Sequence, residues 1–170
     1  FWLAWMTREW SRHGKRSVLG IVTGMVAGLG TIAPASGSVG PAGAVVIGLS
    51  AGVICYFATI ALKNRLKIDD SLDVFPVHGV GGMLGLFMAG IFCSPSLGLF
   101  SGNGFSDGVS DIAGQLSIQL TGIVATFVYT VIVSWLLLRV VDRMVSLRVD
   151  QEEETVGLDI VLHDERGYDL

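Results

Sequence analysis

Between Val18 and Leu62 the chain carries no charged residue. As one helix, at about 1.5 Å per residue, that stretch would be roughly twice the ~30 Å thickness of a bilayer's hydrocarbon core. Such a segment has to cross a membrane and fold back once, and Ser36-Gly37-Ser38-Val39-Gly40-Pro41 supplies the turn residues. The reading is one span over 18–35 and a second over 42–62. A third apolar run, 74–92, is interrupted only by His78, and a fourth, 112–138, ends at Arg139. Composition agrees: 51% of residues are hydrophobic and 15% charged, mean hydropathy is +0.64, and Gly is 23 of 170. Globular domains carry about 25% charge. Apolar, Gly-rich and charge-poor together predict an all-α membrane protein, a polytopic helical bundle. A disordered chain and a soluble domain are excluded, and without a basic stripe interleaved with aromatics nucleic-acid binding has no support.

The cations sort the loops. The 7–17 loop holds Arg8, Arg12, Lys15 and Arg16, the 63–73 loop holds Lys63, Arg65 and Lys67, and Arg139, Arg143 and Arg148 follow the last span. The 36–41 turn and the 93–111 loop hold none. The positive-inside rule then places the 7–17 loop, the 63–73 loop and the 139–170 tail in the cytosol, and the 36–41 and 93–111 segments outside. The opening Phe1-Trp2-Leu3-Ala4-Trp5-Met6 is apolar and precedes its basic loop, the reverse of a signal peptide, so 1–17 reads as the end of a truncated span plus a cytoplasmic loop.

Gly20, Gly24 and Gly28 recur every fourth residue, and Gly48/Gly52 and Gly81/Gly85 repeat the spacing. Small residues four apart let helix backbones approach closely, which argues for a dense bundle and says nothing of function. The fourth span, without Gly after Gly122 and rich in Val, Leu and Trp, suits a lipid-facing helix on the outside of that bundle. Cys55 and Cys93 lack CxxC spacing and read as small buried thiols.

His78 carries the chemical interest. Placing a charge at mid-bilayer costs about 2.5–3.5 kcal/mol even on the lower scales, so an intramembrane imidazole faces a pathway or a partner. It is either a buried histidine bonded to a neighbouring helix carbonyl or a pore-lining relay with one donor and one acceptor. Asp69 and Asp70 suit helix capping. Asp73 stands at the foot of the His78 helix, where Pro76 falls in the first turn and its missing N–H does no harm. Thr31-Ile32-Ala33-Pro34-Ala35-Ser36-Gly37 is either a plain loop or a broken helix end lining a polar vestibule.

Three segments together resemble the ammonium transporter (Amt/Mep/Rh) family. Residues 69–82, Asp-Asp-Ser-Leu-Asp-Val-Phe-Pro-Val-His-Gly-Val-Gly-Gly, are similar to its DD-x-x-D-V-F-x-V-H-G segment. Ala33-Pro34-Ala35-Ser36-Gly37 resembles its TPASG turn, and Gly157-Leu158-Asp159 with His163, Glu165 and Tyr168 resembles its cytosolic tail. The resemblance implies the C-terminal part of an eleven-span inverted-repeat channel fold, from the end of span seven through span eleven, assembled as a homotrimer. It implies His78 as the second of two pore histidines, Val74 as a pore-wall residue, Asp73 and Pro34 as structural support of the pore, and Gly157 and Asp159 as regulatory tail residues. Two positions depart from the family pattern: Ala33 replaces its Thr, and Asp164 replaces the Gly of its HGE.

The resulting expectation is an ammonium channel in the cell membrane, multi-pass, with a cytoplasmic C-terminus. Ammonium is captured outside, deprotonated, and passed as ammonia along paired imidazoles between hydrophobic walls. Implied partners are ammonium or ammonia, its methylammonium analogue, the lipid bilayer, further copies of the chain, and a PII signalling protein on the cytosolic face. No cofactor, metal or catalytic residue is expected. The alternative is an ammonium sensor of the same fold that signals through its tail. An intramembrane enzyme built on Asp73 and His78 lacks a second His or Glu within any span. The tail's apolar Leu158–Leu162 cluster is expensive to leave in water, so it is expected to dock on the cytosolic face, with Asp159 bonded at a helix end or to a loop cation.

Overall fold

The computed structural model describes residues 2–14 and 17–165; Lys15, Arg16 and Tyr168, used in the sequence reading, lie outside the described residues. Helix α1 spans Trp2–His13 and α2 spans Val18–Ile32, the latter continued by a 3₁₀ turn at Ala33–Ala35. Helix α3, Pro41–Ile60, runs into a π turn at Ala61–Arg65. A second π turn, Phe75–Val80, leads into α4, Gly81–Phe92. Helix α5 covers Ile112–Met144, followed by α6, Gln151–Val156, and α7, Leu158–His163. No strand occurs among the described residues. Four helical stretches are long and apolar enough to cross a membrane: Val18–Ala35, Pro41–Arg65, Phe75–Phe92 and Ile112–Met144.

Helices and apolar runs do not end together. Helix α1 continues through Thr7–His13, which the charge pattern reads as loop, and α5 continues past Arg139 to Met144. Arg, Glu and Met are good helix formers, so charge marks where a hydrocarbon environment ends and not where the backbone stops coiling. At 33 residues α5 is about 50 Å long, well beyond the hydrocarbon thickness.

The chain divides into two units, one up to Val124 and one from Ala125. In the first, Trp5 of α1, Ala27 of α2, Cys55 and Tyr56 of α3 and Val77 of the second π turn form one core cluster. The Trp5 and Tyr56 rings meet edge-on with centroids 5.3 Å apart. Ala35, Ile47 and Ala89 form a second cluster toward the Pro34 end. The glycine stripes of α2, α3 and α4 are buried, and α2 and α4 approach closely. A Cβ on Gly85 would collide with the Thr31 carbonyl oxygen and lie 2.9 Å from Pro34 Cγ. One on Gly81 would lie 2.8 Å from Thr31 Oγ1. Thr31 is fully buried, and its hydroxyl donates back to the Ala27 carbonyl at 2.7 Å, so it does not replace the hydroxyl lost at Ala33.

Two loops are tied down by name. Ser17 caps α2 by accepting from the Gly20 N–H (2.9 Å), while its hydroxyl donates to Glu9 of α1 (2.8 Å). At the other end of the bundle, Asn103 donates its backbone N–H to the Ser38 carbonyl and its side-chain amide to the Gly37 carbonyl, each at 2.9 Å. This straps the 93–111 segment onto the α2–α3 turn. Gly102 lies in the strap where a Cβ would strike the Phe92 and Ser38 carbonyls.

In the second unit, Arg148 makes two hydrogen bonds to Glu154 Oε1, at 2.8 and 3.1 Å. Gly157 separates α6 from α7 at φ +111°, a conformation L side chains rarely adopt. Asp164 closes α7 in the left-handed region at φ 51°, ψ 33°. The family pattern's Gly is replaced there by a residue whose short polar side chain tolerates that conformation.

The α2–α4 contact generates a direct test in the full-length protein. Gly85→Ala should lower stability by roughly 1–3 kcal/mol through overpacking. Gly37→Ala, with open space around it, should change it little. Thermal melting of the purified protein in detergent reads both, and equal melting temperatures would refute the contact.

Candidate functional site

The site begins with an accounting of free N–H groups. The first turn of the Phe75–Val80 segment has to satisfy its donors without helical partners. Asp70 takes two of them, accepting from the Val74 N–H through Oδ1 and the Phe75 N–H through Oδ2, both at 2.9 Å. Pro76 has no N–H, and the Val77 N–H donates to the Asp73 carbonyl at 3.0 Å. Every donor of the turn is therefore paired. Asp69 takes no part in this cap; its carboxylate accepts from the Ser71 hydroxyl at 3.4 Å.

Asp73 occupies the left-handed region at φ 56° and pairs through Oδ1 with Lys63 Nζ at 2.7 Å. Lys63 belongs to the π turn at the end of α3, so the ion pair ties that turn to the residue two positions before the second π turn. Single π turns inside helices are rare and occur frequently at functional sites. Here the second π turn carries His78. Pro76 and Val77 face the core, while Val74, Phe75 and His78 are exposed on the other side.

His78 lies against α2 at Gly30, where an added Cβ would stand 3.5 Å from its Nδ1. Neither ring nitrogen has a hydrogen-bond partner among the described residues, unlike a core histidine bonded to a helix carbonyl. The imidazole, Val74, Phe75, Leu62 and Leu66 line a groove of about 700 Å³, with Asp69 and Asp70 also among its lining residues. Apart from those two carboxylates, its wall is almost entirely hydrocarbon around one imidazole. Such a surface repels a hydrated ion and accepts a small neutral molecule able to exchange hydrogen bonds with a ring nitrogen.

The remaining sequence-derived residues lie elsewhere. Pro34 sits in the 3₁₀ turn that ends α2, against Gly85, and belongs to helix packing at the opposite end of α4. It also borders a polar cavity of about 270 Å³ with Ser38, Ser106, Gln115 and Gln119. Gly157 and Asp159 belong to the second unit. The Asp159 carboxylate has no hydrogen-bond partner among the described residues, whereas its backbone carbonyl accepts from the Glu165 N–H at 3.0 Å. Lys63 was read only as a loop cation and Gly30 not at all. The signal for Lys63 was its place directly after the apolar run of α3, ten residues before an acid that opens the next helix.

The cap predicts an asymmetry between neighbouring acids. Asp70→Ala should destabilise the full-length protein by about 1 kcal/mol or more. Asp69→Ala should stay within about 0.5 kcal/mol. A melting comparison of the two variants checks this, and equal shifts would remove Asp70 from its capping role.

Known proteins bear on this site. The model of the Ammonium Transporter Family matches residues 2–168. An ammonium transporter of Aquifex aeolicus is 41% identical over 168 residues, covering 99% of this chain and 38% of that protein. The ammonium transporter Amt1 of Archaeoglobus fulgidus is 41% identical over 164 residues, 96% of this chain and 40% of its own length. Among solved structures, a "Sensor Amt Protein" superimposes with a TM-score of 0.83 at 28% identity, over 96% of this chain and 38% of that one. Mep2 of Saccharomyces cerevisiae gives 0.74 at 37% identity, over 89% and 34%. The chain thus spans about two fifths of the relatives it matches. With an all-α polytopic architecture and sequence relatives along nearly its whole length, this chain belongs to the Ammonium Transporter Family.

Proposed function

We propose that this chain forms one wall of an ammonium-conducting pore, completed by helices upstream of it, in a homotrimer with its C-terminal tail in the cytosol. The observation that carries the reading is the placement of His78: the sole imidazole of the apolar spans, unbonded, on a π turn that opens onto a hydrocarbon groove. An intact ammonium ion entering a dry pore would lose its hydration without repayment. Ammonia does not carry that penalty. A neutral imidazole accepts a hydrogen bond from ammonia at one nitrogen and donates at the other, so His78 supplies half of a relay whose second imidazole stands on the upstream helices. Val74, Phe75, Leu62 and Leu66 exclude bulk water from the path, and Asp70 and the α2–α4 contact hold the ring in place.

A second reading, an ammonium sensor, is favoured by the close superposition on a chain named "Sensor Amt Protein". The two readings diverge in uptake. In the full-length protein, His78→Ala should lower methylammonium uptake by about tenfold or more at matched trimer content. Unchanged uptake would reduce His78 to a packing residue. A wild-type protein that binds but does not transport would favour the sensor.

We further propose that the tail docks beneath the pore of its own and a neighbouring subunit, and that a PII signalling protein meets the same cytosolic face. The support is the exposed apolar side of α7 (Leu158, Ile160, Val161 and Leu162) on a segment turned by Gly157. Gly157→Asp places a Cβ at φ +111°, 2.7 Å from Asp159 Oδ1, and adds a like charge beside it. Strain of roughly 1–3 kcal/mol should undock the segment. Transport by mixed trimers should then fall by more than the mutant share; a strictly proportional fall would rule out docking between subunits.

A further inference from the structure

Asp69 and Asp70 line the His78 groove, Asp73 directly precedes its lining residue Val74, and the surroundings of the three carboxylates differ. Asp70 is committed to two backbone N–H groups, and Asp69 is exposed and screened by solvent. Asp73 keeps 14% of its side chain exposed, spends no side-chain oxygen on the backbone cap, and directly precedes the groove-lining Val74. It lies about one and a half helical turns, roughly 7 Å along the axis, before His78. A carboxylate so placed, largely withdrawn from water beside the groove-lining Val74, attracts a small cation that reaches it.

It is already occupied. Lys63 Nζ stands 2.7 Å from Asp73 Oδ1. A lysine head group is chemically an alkylammonium ion, with three N–H donors on one positive nitrogen. Tethered through a short stretch of chain, it faces the carboxylate at an effective concentration of about millimolar or more, which a dilute free ammonium ion does not match. The same contact holds Asp73 in its left-handed conformation, which a non-glycine residue adopts only at some cost.

We propose that Lys63 is a positioning residue of the pore, a tethered ammonium group that keeps Asp73 filled so that the carboxylate anchors the His78 turn and does not retain the transported ion. This rests on the pore reading above. The test measures methylammonium uptake by the full-length protein in proteoliposomes at matched trimer content, with Lys63→Arg, Lys63→Met, Lys63→Met/Asp73→Asn and His78→Ala side by side. Lys63→Met should lower the maximal rate about tenfold and lower KM with it, because the emptied carboxylate now holds methylammonium. Lys63→Arg should keep the wild-type rate within about threefold, and adding Asp73→Asn to Lys63→Met should recover most of the loss. An unaffected Lys63→Met variant overturns the proposal. So does a loss with unchanged KM that Asp73→Asn fails to relieve, since that marks a purely structural contact. If His78→Ala abolishes uptake while Lys63→Met is unaffected, the Lys63 inference alone fails; if His78→Ala transports normally, the pore reading fails and this inference with it.

Discussion

The backbone approach of α2 to α4 at Gly85 and Thr31 is the constraint on which the first unit depends. Lipid chains are as apolar as leucine, so helices in a bilayer gain little from hiding hydrocarbon and associate through close packing. A carbonyl oxygen resting where a Cβ would otherwise stand allows no variation in distance or rotation. That contact sets α4 against α2 with Val77 in the core beside Ala27, Cys55, Tyr56 and Trp5. His78, the next residue, then emerges on the other side, over Gly30.

A helix that begins near the membrane has to satisfy its first N–H groups within the protein. Asp70, Pro76 and the Asp73 carbonyl do this together, and each solves a different part of the problem. The arrangement explains why acids, a proline and a histidine crowd into one short segment. The acids close the helix end, the proline removes a donor, and the π turn rotates the imidazole toward the groove. Cap and site are one construction, so a change in the loop before Val74 is felt at His78.

Much of the architecture was legible along the chain. Charge-free runs longer than a bilayer, glycines every fourth residue and a solitary intramembrane imidazole are one-dimensional signals, and each follows from the cost of placing charge or bulk in lipid. The substitution of Asp164 for the family pattern's Gly was legible as a departure, and the structure shows it in the left-handed region, which a short polar side chain enters more readily than most. Helix ends were less so. The chain coils through Thr7–His13 and on to Met144 because propensity, and not hydropathy, decides where backbone bonding stops. The division of labour among Asp69, Asp70 and Asp73 was not legible either. Their types are identical, and only the path of the loop assigns one to solvent, one to the backbone and one to Lys63.

By itself the sequence determined the class of fold, the number of long apolar helices, the glycine stripes along them and the one imidazole they carry. Those follow from transfer costs summed residue by residue, which need no coordinates. Tertiary structure alone decided that Thr31 is a packing residue, that the helix carrying His78 opens with a π turn, and that Lys63 reaches Asp73 across the loop between two helices. These are consequences of distance and direction between segments remote in the chain, and no local pattern of residues encodes them.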